Sequence, residues 1–178
     1  MNTARESVIL LADDGTPVGT ADKYAVHTAS TPLHLAFSCH VVNDRGEVLV
    51  TRRALTKATW PGVWTNSFCG HPAPDESFEA AIARRASREL GITVQRIECV
   101  LPDFRYRAVD ASGIVENEIC PVYRAHTADV INPAADEVAE WEWVDEGALR
   151  RSVAATPFAF SPWLGLQLEA LPVEVLPG

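Results

Sequence analysis

The chain has 178 residues, with 15 Lys and Arg against 24 Asp and Glu, a formal net charge of −9 at pH 7. That excess of acid excludes the broad cationic surface through which proteins bind nucleic acid. A hydrophobic content of 47% with 22% charged residues is that of a folded globular protein, and no run approaches the roughly 20 apolar residues of a membrane span. The longest early apolar run, Val8 to Ala12, is too short for a signal-peptide core. The expectation is one domain over residues 1–178, soluble, cytoplasmic and monomeric, with no membrane or nucleic-acid partner. Four cysteines (Cys39, Cys69, Cys99, Cys120) stand apart without Cys-x-x-Cys pairs and read as free thiols.

In chain order, Ser7 to Ala12 and Thr16 to Thr20 flank Asp13-Asp14-Gly15, a hairpin signal. Leu33 to Val42 and Glu47 to Thr51 form a second strand pair around Asn43-Asp44-Arg45-Gly46. Ser77 to Leu90 reads as a helix: Phe78, Ile82, Ala86 and Leu90 recur every four residues, Asp75 and Ser77 offer caps, and Gly91 stops it. Three β stretches follow, Ile97 to Leu101, Phe104 to Ala108 and Ile114 to Arg124, so strands neighbour mostly through hairpins. A second helix runs from Trp163 to Leu171 behind Ser161-Pro162, and the tail 171–178 is expected to fray. Strands with few helices and no βαβ repeat predict an α+β layered domain.

Several polar residues invite a chemical reading beside a bland one. Glu116 and Glu118, two apart in a strand, point to one face; they are either a solvated surface or a repelling pair that needs a cation or a shared proton. His27, His34 and His71 could supply the counterpart, although no short metal-binding spacing links them; five N/O ligands would suit an octahedral divalent ion better than structural zinc. His40 and His126 read as structural. Cys69, followed by Gly70 and His71, is by default a buried thiol and otherwise a reactive thiolate beside a cation. Lys23, Arg52, Arg53 and Lys57 precede it, and Arg84, Arg85 and Arg88 follow. Arg85 and Glu89 could be a plain i, i+4 ion pair, or part of a metal-assisted diphosphate site. Between Ala21 and Ile92, eight basic residues face seven acidic ones, so the acidity of the chain lies elsewhere, notably in Asp129 to Glu146.

Gly70, Glu76, Arg84, Glu89 and Gly91-Ile92 match the spacing of the Nudix box, G-x5-E-x7-R-E-U-x-E-E-x-G-U. Arg85 and Arg88 stand where that box carries carboxylates, which removes metal-binding charge and adds diphosphate-binding charge. With this altered box the chain resembles the type I isopentenyl diphosphate isomerases. The resemblance runs from Lys23 to Trp163 through Lys23-Tyr24-Ala25-Val26-His27-Thr28, Leu33-His34-Leu35-Ala36-Phe37-Ser38, Thr51-Arg52-Arg53-Ala54, Trp60-Pro61-Gly62-Val63-Trp64-Thr65-Asn66, Cys69-Gly70-His71-Pro72, Pro102-Asp103-Phe104-Arg105-Tyr106-Arg107, Val115-Glu116-Asn117-Glu118 and Phe160-Ser161-Pro162-Trp163.

The resemblance implies a Nudix-like α/β/α sandwich with a mixed β-sheet, acting on a small isoprenoid diphosphate. His27, His34, His71, Glu116 and Glu118 would hold one divalent ion (Mn2+, Mg2+ or Zn2+). A second ion, Mg2+, would be held through Glu89 and the diphosphate, with Lys23, Arg53, Lys57 and Arg85 on phosphate oxygens. Cys69 and Glu118 would flank the alkene, Tyr106 would relay protons, and Trp163 would face the carbocation, a contact worth about 2 kcal/mol or more when desolvated. Two rival readings are a Nudix hydrolase of another diphosphate and a non-enzymatic domain with a structural metal and an anionic partner.

Overall fold

A computed structural model of the chain describes residues 6–172. In chain order its elements are β1 (Ser7–Leu11), β2 (Pro17–Asp22), β3 (His34–Leu35), β4 (Phe37–Val42), β5 (Val48–Arg53), β6 (Trp64–Thr65), β7 (Phe68–Gly70), α1 (Phe78–Leu90), β8 (Gln95–Leu101), β9 (Arg105–Val109), β10 (Val115–Ile119), β11 (Val122–His126), β12 (Val138–Val144), α2 (Glu146–Ala155) and α3 (Pro162–Ala170). The tail expected to fray lies outside the described residues from 173 onward, while Leu171 is buried.

The strands form two sheets, ordered β2-β1-β3-β10-β9 and β12-β5-β4-β11-β8, with β6 added to β5 and β7 to β4. The second sheet is mixed, because β11 runs parallel to β4 and antiparallel to β8. On one side of it Ala81, Ile82, Ala86 and Leu90 of α1 pack against Phe37, Cys39, Val41, Leu49 and Phe68. On the other, Leu149 and Val153 of α2 and Leu164 and Leu168 of α3 pack against Val48 and Val50. This is the helix/sheet/helix layering that an α+β chain needs to bury both faces of one sheet.

Two stretches that read as single strands are each broken in two. Leu33–Val42 breaks at Ala36, and Ile114–Arg124 breaks at Cys120-Pro121. The breaks lie side by side: Ala36 N–H donates to the Ile119 carbonyl at 3.0 Å, and Ser38 N–H to the Pro121 carbonyl at 3.1 Å. Pro121 has no N–H for a ladder, so the pairing must shift there. Before the breaks β3 and β10 pair in parallel in the first sheet; after them β4 and β11 pair in parallel in the second. The mostly-hairpin expectation holds for β1–β2 and β9–β10 but misses these two parallel pairs. Both chains therefore cross from sheet to sheet together, leaving a seam between the sheets.

Helix α1 starts on Ser77, whose Oγ accepts the Ala80 N–H at 3.2 Å, and ends on Gly91 at φ +65°, a left-handed conformation that suits glycine. Sequence reading overlooked β12 and α2. Trp141 and Trp143 alternate with Glu140 and Glu142 in β12, and Asp145 caps α2 by accepting the Ala148 N–H at 2.7 Å.

Gly70 sits where α1 crosses β7. A Cβ there would lie 2.8 Å from Phe37 Cζ and 2.9 Å from Arg85 Cγ. Gly70→Ala is therefore expected to destabilise the fold by about 1–3 kcal/mol, the usual cost of overpacking, read as a lower denaturation midpoint. An unchanged midpoint would show that the helix can move away freely.

Candidate active site

The seam opens into a cleft of about 430 Å³ lined by Lys23, His27, Arg53, Lys57, Cys69, His71, Arg85, Glu89, Tyr106, Glu116, Glu118 and Trp163. His34, fully buried, stands behind this lining. The residues that the resemblance implies for the site are thus brought to one place, while Arg52 and Arg84 lie off it, paired with Glu140 and Glu76.

Strand register builds the first wall. Glu118 lies opposite His34 across the parallel β3–β10 pair and opposite Tyr106 across the antiparallel β9–β10 pair. Tyr106 OH donates to Glu118 Oε2 at 2.9 Å, while Glu118 Oε1 is 3.3 Å from both His34 Nε2 and His71 Nε2. Glu116, on the same face, accepts the Thr59 hydroxyl on Oε1 at 2.8 Å and places Oε2 3.0 Å from His27 Nε2. Both carboxylates are buried, which removes the reading of a solvated strand face.

His27, His34, His71 and Glu118 present ligand atoms all within 4.8 Å of one another, a group that could hold a metal ion. The donor set fits such an ion: His34 Nε2 and Glu116 Oε2 are buried without a hydrogen-bond partner among the described residues, as is His71 Nδ1. Buried polar atoms rarely stay unsatisfied. Burial pushes the Glu118 carboxyl up, but the imidazoles of His34 and His71 outweigh it and hold it well below the usual carboxylate range. The two imidazoles diverge. Burial lowers His34, yet Glu118 raises it above an ordinary histidine; His71 shares that carboxylate but also faces His34 and Lys23, and burial wins.

Cys69 sits on β7 opposite Ser38 of β4. Its Sγ is 3.2 Å from Ser38 Oγ and donates to Asn66 Oδ1 at 3.4 Å. Burial pushes the thiol up to about 11, against the lowering effect of the Ser38 and Asn66 hydrogen bonds. Trp163, 2% exposed, donates its indole N–H to Asn66 Oδ1 at 3.0 Å and packs against Trp60 and Tyr106. Arg53 lies 5.5 Å above the Trp163 ring and donates to the carbonyls of Thr59 and Trp60, so it also fixes the loop that holds Glu116. His40 and His126 bond Gln167 and Asp44 and take no part in the cleft, as expected.

At the other end of the cleft the cations are already paired. Arg85, buried on α1, bonds Glu89 and Glu137; Lys57 pairs with Glu137 and Lys23 with Glu6. The i, i+4 pair of Arg85 and Glu89 is real, and it is part of a larger cluster. Burial raises the Glu89 carboxyl despite Arg85. Sequence reading missed Glu6 and Glu137, which lie outside the motifs, and Thr59, Asn66 and Ser38, whose roles arise only from packing. Arg88 points outward to Asp136.

A Nudix domain is matched over residues 32–164. The chain is 68% identical over 173 residues to the isopentenyl-diphosphate Delta-isomerase of Leifsonia xyli subsp. xyli, covering 96% of this chain and 94% of that protein. It is 63% identical over 166 residues to the enzyme of the same name from Clavibacter sepedonicus, covering 93% and 87%. The crystal structure of DR0079 from Deinococcus radiodurans has a TM-score of 0.73 over 93% of this chain and 99% of that one; at 17% identity it speaks for the fold alone. The chain belongs to the Nudix superfamily and, within it, to the type I isopentenyl-diphosphate Delta-isomerase family.

Metal binding at these histidines must compete with protons. Affinity for Mn2+ is expected to fall by about tenfold or more from pH 7.5 to 5.5 as imidazoles protonate, with His34 affected first because its proton is held more tightly. Calorimetric titration reads this, and His34→Ala should bind markedly weaker at both pH values. An affinity independent of pH and of His34 would place the ion elsewhere.

Proposed function

We propose that the protein interconverts isopentenyl diphosphate and dimethylallyl diphosphate, moving a double bond by adding one proton and removing another. The observation that carries this reading is the meeting of two proton-transfer groups from different sheets in one cleft, Cys69 on β7 and Glu118 with its Tyr106 partner on β10. The names of the relatives support it. An unactivated alkene is a weak base, so protonation needs an aligned acid, and the tertiary cation needs walls without competing nucleophiles. The aromatic rings of Trp163 and Tyr106, which line the cleft, suit such walls.

In the proposed order, Glu118 with Tyr106 gives a proton to the terminal alkene carbon, and Cys69 as thiolate removes one from the carbon beside the phosphate-bearing methylene. A new C–H bond forms at one end, a C–H bond breaks at the other, and no redox step occurs. The environment at rest holds Cys69 protonated and Glu118 ionised. That is the state left by one forward turnover and the state from which the reverse reaction starts. A second forward turnover then requires a proton to return from Cys69 to Glu118.

His27, His34, His71, Glu116 and Glu118 would hold one divalent ion, whose positive charge would fix the Glu118 carboxylate in place. Glu89 would hold Mg2+ with the diphosphate, and Lys23, Arg53, Lys57 and Arg85 would meet phosphate oxygens. The balanced cluster of Lys23, Lys57 and Arg85 with Glu6, Glu89 and Glu137 supports an anion that brings its own cation. Arg85 and Arg88, in place of two box carboxylates, argue against hydrolysis of the diphosphate. One catalytic domain acting as a monomer in the cytoplasm belongs to the same proposal. No helix among the described residues is long and apolar enough to cross a membrane.

Purified protein with Mg2+ is expected to convert isopentenyl to dimethylallyl diphosphate, and Cys69→Ala and Glu118→Gln should each lower kcat by at least about a hundredfold, the scale of acid–base catalysis. Near-full activity in either folded variant would remove that residue from the chemistry.

A further inference from the structure

Behind the cleft, a buried chain of polar groups that no role yet assigned accounts for ends on the Cys69 sulfur. Ser38 and Gln167 are both fully buried, one on β4 and the other on α3. Gln167 Nε2 donates to Ser38 Oγ at 2.8 Å, and Gln167 Oε1 is 2.9 Å from His40 Nε2. With the Gln167 amide in this orientation its oxygen accepts, and His40 carries its proton on Nε2.

The polarity of the remaining bonds follows. A hydroxyl has one proton and two lone pairs. One lone pair of Ser38 Oγ takes the Gln167 N–H. Cys69 gives its one proton to Asn66 Oδ1 at 3.4 Å, so at the 3.2 Å contact with Ser38 Oγ the sulfur accepts and the hydroxyl donates. Cys120 Sγ, fully buried, also lies 3.4 Å from Ser38 Oγ. Asn66 meets the same sulfur from another side. Its two N–H groups are taken by the carbonyls of Cys39 (3.1 Å) and Phe68 (2.7 Å), so only its oxygen can face Cys69.

We propose that Ser38, oriented by Gln167, is a positioning residue for the reaction: its hydroxyl proton, which the Cys69 sulfur can accept as thiol or as thiolate, fixes where that sulfur stands against the cleft. Without the hydroxyl, Cys69 keeps one polar partner and regains rotameric freedom. A sulfur displaced by a fraction of the length of a hydrogen bond is a poor partner for carbon, where proton transfer demands close alignment. This inference rests on the proposed isomerase reading, because it assigns no function to Cys69 other than the one given there.

The test compares steady-state kinetics of the full chain with isopentenyl diphosphate and Mg2+ for Ser38→Ala, Gln167→Met and the double variant. Ser38→Ala is expected to lower kcat by roughly 10- to 100-fold with KM within about twofold of the parent, since the diphosphate end is untouched. Gln167→Met, which leaves β4 unaltered, should lower kcat in the same sense, and the double variant should be no worse than Ser38→Ala, because the two act in series. Parental kcat in a folded Ser38→Ala variant overturns the inference and leaves the isomerase reading standing. So do losses that multiply in the double variant or appear in KM alone. If Ser38→Ala does not fold, parental kcat in Gln167→Met overturns it equally. A parent protein that forms no dimethylallyl diphosphate overturns both readings together.

Discussion

Two carboxylates buried on one strand face are the constraint around which the site is arranged. Glu116 and Glu118 are 6% and 5% exposed, and an uncompensated buried anion costs several kcal/mol even after relaxation. The compensation is spread over four elements: His34 from β3, Tyr106 from β9, His27 from the loop after β2 and His71 from the loop after β7. Each must be in register for the others to be tolerable. Even so, buried His34 Nε2 and Glu116 Oε2 lack hydrogen-bond partners among the described residues, and a metal ion at His27, His34, His71 and Glu118 could meet part of that need.

The paired crossing of β3–β4 and β10–β11 makes this arrangement possible. Because both chains leave one sheet and enter the next at the same level, residues before the crossing furnish the imidazole and carboxylate wall, while β7, attached to β4 after it, supplies Cys69. The helix that carries the Nudix box closes the other end, and Gly70 lets Arg85 come close enough to join the charged cluster. Electrostatically the two ends differ. The histidine end gathers imidazoles around carboxylates, whereas the box end pairs three cations with three carboxylates, pairs that the proposed diphosphate would exchange. The net charge of the chain describes its outer surface and says little about either end.

Much of this was legible in the sequence, and what was not has physical reasons. The helix over Ser77–Leu90 and the strand placing Glu116 and Glu118 on one face follow from periodicity alone. Whether that face was wet or buried did not, because burial depends on which strands arrive beside it. His27, His34 and His71 stood apart from His40 and His126 in the sequence itself, but no spacing joined them to Glu116 and Glu118; the resemblance, through eight short stretches, did. The breaks at Ala36 and Cys120-Pro121 were hidden inside continuous β-favouring stretches, where only Pro121 hinted at a change of partner. Strand β12 was overlooked because its glutamates drew attention to charge, although Trp141 and Trp143 alternate with them. Glu6, Glu137 and Thr59 lie outside the eight stretches, and Ser38, although inside one, carries no sign of its role; each is important only through a residue distant in the chain.

The central claim is that the cleft moves a double bond by adding one proton and removing another, without touching the phosphates. The most direct test is to incubate isopentenyl diphosphate with the protein and Mg2+ in heavy water and to follow the products by NMR. The account predicts dimethylallyl diphosphate carrying one solvent deuterium in a methyl group, with the diphosphate intact. Release of phosphate or pyrophosphate, with no deuterium entering carbon, would contradict it.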